Sequence, residues 1–129
     1  MDSLRFQENH SAPDQAKYRQ WMLRTTDRLL QDCNGFQSQW NTYLEETMQT
    51  YGQSLTEEQI NANIGAYQQG ITRNQGNPVN LSVAHYSLGG MYEFRGDIER
   101  ASEQYLKSAS CGKQPGFFAA LHYHSLEQK

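Results

Sequence analysis

His122-Tyr123-His124 is the densest group of potential metal ligands or proton carriers in the chain. A metal site or an acid–base pair requires both rings to converge on one point. Residues two apart on a helix diverge by about 200°, so these imidazoles would not share a site, and other ligands would have to come from elsewhere. Glu45-Glu46 and Glu57-Glu58 offer paired carboxylates, but helical neighbours point in different directions, and both pairs read as solvated faces. Cys33 and Cys111 are far apart, with no Cys-x-x-Cys and no histidine at zinc spacing. Free cysteine packs as a small hydrophobe, so buried thiols are expected, although spacing alone leaves a disulfide open. No phosphate-cradling glycine loop or nucleophile elbow is present. No constellation therefore supports an enzyme, and no catalytic residue, metal or cofactor is expected.

Composition narrows the class further. The chain has 129 residues, 36% of them hydrophobic and 19% charged, which suits one packed domain rather than a disordered polyelectrolyte. Its formal charge of −3 opposes attraction to a phosphate backbone, so nucleic acid is not an expected partner. No apolar run approaches the roughly 20 residues needed to span a bilayer, and the start Met1-Asp2-Ser3-Leu4-Arg5-Phe6 lacks a signal-peptide core. A soluble, cytoplasmic protein without membrane insertion is the expectation.

The elements that would position any site read as helices. Residues 1–12 show no sustained period and form a loose leader; 13–129 form one helical domain. Tyr18, Trp21, Met22, Thr25, Leu29, Leu30 and Cys33 recur at helical spacing, with Asn34-Gly35 as a stop. Trp40, Tyr43, Leu44, Thr47, Met48 and Tyr51 continue a second face from Phe36, and Gly52 offers its end, making an antiparallel pair over 14–51. Thr56-Glu57-Glu58-Gln59 can form a capping box before Ile60, Ile64, Tyr67 and Ile71. Asn74 to Pro78 breaks that helix. The fourth, about 80–94, places Leu81, Ala84, Leu88, Met91 and Tyr92 on one face. After Gly96-Asp97 the fifth turns Ile98, Ala101, Tyr105 and Ala109 inward, leaving Glu103 and Lys107 as an outward pair, and ends at Gly112 and Pro115. Phe117 to Tyr123 is apolar enough to dock as a sixth helix on this hairpin. The fold class is all-α: antiparallel hairpins, about six helices and no strand pair.

Ala84-His85-Tyr86-Ser87-Leu88-Gly89-Gly90-Met91-Tyr92, followed by Gly96-Asp97, Ala101, Tyr105 and Ser108, resembles a tetratricopeptide repeat over 82–115. Leu88-Gly89-Gly90-Met91-Tyr92-Glu93 and Tyr105-Leu106-Lys107-Ser108-Ala109 are also similar to the related Sel-like repeats. The resemblance implies that Gly89, Ala101 and Ser108 permit close helix approach while Leu88, Tyr92 and Tyr105 fill the space between. It covers about a quarter of the chain. The proline usual near a repeat's end would fall at Lys113, and Pro115 is displaced from it.

The repeat resemblance implies binding rather than catalysis. It turns Val83, Tyr86, Ser87, Gly90, Glu93 and Phe94 toward a concave groove, where they would receive a helix or extended segment of a partner protein, or the chain's own N-terminal helices. An isolated repeat cannot bury both faces, so flanking helices or a second copy in a homodimer must cover it. The expected role is a dedicated adaptor or chaperone; an immunity protein neutralising a cognate toxin is the alternative, and an enzyme with an unfamiliar helical site the third reading.

Overall fold

The computed structural model describes residues 12–32 and 36–127. Six α-helices occupy them: α1 Ala12–Asp32, α2 Phe36–Ser54, α3 Glu57–Arg73, α4 Pro78–Phe94, α5 Ile98–Ala109 and α6 Gln114–Glu127. No strand occurs among the described residues. The expected leader falls largely outside them, except that Ala12 already belongs to α1.

Local chemistry sets most boundaries. Thr56 Oγ1 accepts from the Gln59 amide at 3.1 Å, while Gln59 Oε1 accepts from the Thr56 amide at 2.9 Å. This reciprocal box starts α3 by satisfying amides that have no partner in the first turn. Asn77 caps α4, with Pro78 at its first position, where a missing N–H costs nothing. At the other end Gly96, at φ +80°, lets its amide reach the Glu93 carbonyl and the Asp97 amide reach that of Tyr92, both at 2.9 Å. Such a left-handed cap satisfies two terminal carbonyls and sends the chain back as α5, which Asp97 then caps through the Arg100 amide.

Two expected stops fail. Helix α2 runs through Gly52 to Ser54, because one glycine costs a helix only about 1 kcal/mol and no proline follows it. Helix α5 ends at Ala109, and Pro115 belongs to the first turn of α6, a position that tolerates proline.

Helices α3 to α6 form the tightly packed part, with α4 between α3 and α5 and with α6 laid across α5 and α4. Ile60 and Ile64, Leu88 and Tyr92, Ala101 and Tyr105, and Ala119 and Leu126 are buried in one cluster. Helices α4 and α5 meet through two hydroxyls: Ser82 Oγ donates to the Ser108 carbonyl at 3.2 Å, and Ser108 Oγ donates to the Ser82 carbonyl at 2.8 Å. Both serines are fully buried, so the exchange satisfies polar groups where backbones approach closely.

Helix α1 docks on α6 and α5. Met22 joins Ala109 and Ala120 in a second cluster, and the buried Thr26 hydroxyl donates to the Met22 carbonyl at 2.8 Å. Trp21, expected on the buried face, is instead 51% exposed. Its neighbour Met22 takes the inward position because the stripe through Met22, Thr26 and Leu30 faces the docked helices. Helix α2 stands farther off, its backbone approaching mainly α1. Leu44 is its buried anchor, whereas Tyr43 is 58% exposed.

Candidate functional site

The space between α2 and α4 is a cleft. Its apolar section, about 470 Å³, takes Tyr86, Ser87, Gly90, Met91 and Phe94 from α4 and Trp40, Tyr43, Leu44, Thr47 and Met48 from α2. Tyr67, Tyr105, Phe118 and His122 complete it. The adjoining section, about 590 Å³, shares Leu44, Met48 and Phe94 and adds Asn41, Glu45, Gln49, Gln53, Glu93, Ile98 and Ser125. The second section is polar because α2 turns its amide and carboxylate residues toward the C-terminal end of α4.

Six residues were expected to share the groove. Tyr86, Ser87, Gly90 and Phe94 come together on the apolar section, and Glu93 lines the polar one. Val83 lines neither and is 46% exposed. The lining from α4 begins at Tyr86, so Val83 stands outside the cleft.

A hydrogen-bonded cluster forms the floor. Tyr105 Oη donates to Glu93 Oε1 at 2.7 Å. His122 Nε2 lies 2.7 Å from Tyr86 Oη, and His122 Nδ1 lies 3.6 Å from the same Glu93 oxygen. Burial pushes the Tyr86 phenol up to about 12, with the Glu93 carboxylate and then Tyr43 adding to the shift. Tyr105 is raised further, first by burial and then by the Glu93 charge. Both phenols therefore keep their protons at neutral pH. With its proton in place, Tyr86 Oη can either donate to His122 Nε2 or accept from it, and the tautomer of the ring decides which.

The rings are mutually braced. Tyr86 meets His122 edge-on at 5.1 Å, Trp40 meets it edge-on at 6.0 Å, and Tyr105 lies tilted against it at 4.8 Å. Gly89 makes this possible, because a Cβ there would come within 2.7 Å of the Tyr105 ring.

His122 and His124 do diverge. His124 Nε2 faces α1, 3.2 Å from the Leu23 carbonyl and 3.0 Å from Thr26 Oγ1. Among the described residues no group of three or more His, Cys, Asp or Glu side chains could hold a metal ion. Cys111 is a buried free thiol, raised to about 11 by burial; Cys33 lies outside the described residues.

Trp40, Tyr43, Met48, Tyr105, Phe118 and His122 were not assigned to the site from sequence. The helical spacing of Trp40, Tyr43, Leu44 and Met48 is visible there, but nothing local says which helix that face meets. No family model, curated protein or solved structure matches the chain. No helix among the described residues is long and apolar enough to cross a membrane.

Proposed function

We propose that this chain is a non-enzymatic protein-binding module, a dedicated adaptor or chaperone, that receives a segment of its partner in the α2–α4 cleft. The observation that carries this reading is the convergence of Tyr86, Ser87, Gly90 and Phe94 on an aromatic cavity of about 470 Å³. Apolar concave sites with a few placed polar groups are where ligands and peptide anchors bind. The reading of 82–115 as a tetratricopeptide-like unit is supported by the Gly96 turn and the close approach of Gly89 to Tyr105. The floor cluster argues for rigidity rather than turnover: its phenols hold their protons tightly, which suits hydrogen-bond donors better than nucleophiles. A cytoplasmic setting accords with the free Cys111 thiol.

Gly90→Arg tests the assignment. A Cβ at Gly90 meets only Tyr105 Oη, at 4.0 Å, so the backbone position accepts a side chain, whose long charged end then fills the cavity. A partner recovered from the native host should lose at least about tenfold in affinity by calorimetry while the protein remains folded. Unchanged affinity in a folded variant would place the interface elsewhere, on α1 or around Phe118. A toxin as the captured partner would turn the same surface to neutralisation.

A further inference from the structure

The two sections of the cleft differ in charge, and this says what kind of segment fits them. Neither is lined by a lysine or arginine. The polar section holds two carboxylates, exposed Glu45 on α2 and Glu93 on α4, among neutral amide and hydroxyl groups. Glu93 is the informative one. Its side chain is only 8% exposed, and its contacts with Tyr105 and His122 both use Oε1. Among the described residues no lysine or arginine pairs with it. A buried carboxylate needs donors to offset its lost hydration, and with Tyr105 and His122 both on Oε1, Oε2 is left for a further donor. Next to it, the ring faces of the apolar section favour cations and apolar groups alike. The formal charge of −3 adds long-range attraction for a basic partner.

We infer that the partner segment anchors through a large apolar side chain in the aromatic section and a neighbouring lysine or arginine against Glu93, with Glu45 at the rim. The inference rests on the cleft being the binding site and adds the chemistry of what binds. A neutral or acidic amphipathic segment would satisfy only the aromatic half.

Three small probes of similar shape test it: phenethylammonium, phenethyl alcohol and hydrocinnamate, titrated into the full chain and followed by amide and indole NMR shifts. The ammonium should bind at least about tenfold more tightly than the alcohol, should move the Trp40 indole and Gly90 amide signals, and should weaken with added salt. Hydrocinnamate should bind most weakly. Glu93→Gln keeps an acceptor for Tyr105 and should bring the ammonium and alcohol to within about threefold. If that variant fails to fold, the exposed Glu45→Gln and the three-probe series on the unaltered protein carry the test. Equal binding of alcohol and ammonium, tighter binding of hydrocinnamate, or shifts that avoid Trp40 and Gly90 would overturn the inference. The two readings fail separately: a partner insensitive to Gly90→Arg rejects the cleft, whereas a Gly90-dependent partner indifferent to Glu93→Gln rejects only its basic anchor.

Discussion

Tyr86 Oη and His122 Nε2 lie 2.7 Å apart, joining α4 to α6 at the floor of the cleft across thirty-six positions of sequence. This bond sets the orientation of a ring that also touches Trp40 and Tyr105. Tyr86→Phe removes the hydroxyl and leaves a buried imidazole nitrogen without its partner. The expected cost is about 1–3 kcal/mol, read from urea unfolding. A loss under about 0.5 kcal/mol would mean that water reaches Nε2 and that the floor is open.

The glycines of α3 and α4 should respond in opposite directions. A Cβ on Gly89 would come within 2.7 Å of Tyr105 Cε1, whereas one on Gly65 meets nothing within 4 Å. Gly89→Ala should therefore destabilise by about 1–3 kcal/mol through overpacking. Gly65→Ala should stabilise by up to about 1 kcal/mol through helix propensity. Thermal unfolding of the pair decides this, and equal shifts would deny the close approach of α4 to α5.

Tyr92 tests the main core. It is 7% exposed and clustered with Leu88, Ala101 and Tyr105, with the Arg100 guanidinium 5.9 Å from its ring centroid. Tyr92→Ala should cost about 3–5 kcal/mol. A change below about 1 kcal/mol would reject the core role.

Acid should weaken the fold at His85. Burial depresses its ring below 6.5; the hydrogen bond to Gln104 partly opposes this, and the Lys107 charge adds to it. Between the folded and unfolded values the unfolded chain binds more protons, so stability falls as pH drops below about 6.5. The full stability is present above that value. His85→Gln keeps a donor for Gln104 and does not titrate. Its stability relative to the parent should therefore improve between pH 7.5 and pH 5, as about 6.5 is crossed. A pH-independent difference would show that the depression is absent.

Cys111 should be chemically quiet. With its thiol raised to about 11, very little thiolate exists at neutral pH. In a Cys33→Ser background, iodoacetamide at neutral pH should alkylate the native protein at least about a hundredfold more slowly than the urea-unfolded chain. Comparable rates would mean that the α1–α5 contact opens readily.

Sequence by itself determined the helices and their inward stripes, because periodicity, capping residues and turn glycines act within a few positions of one another. Thr56 with Gln59, Gly96 with Asp97, and the Leu88, Tyr92, Ala101 and Tyr105 set were all readable for that reason. The divergence of His122 and His124 was readable too, since helical geometry alone separates them. Tertiary structure decided the rest. Gly52 was a stop by propensity, yet it lies inside a helix. Trp21 and Tyr43 belonged to apolar stripes, but which edge of a stripe is covered depends on the crossing of neighbouring helices. The meeting of Trp40, Glu93, Tyr105 and His122 depends on how α2 lies over α4 and how α6 crosses α5. Those crossings follow from side-chain volume and from buried pairs such as Ser82 with Ser108, which bring together residues twenty-six positions apart, a distance over which no local pattern carries information.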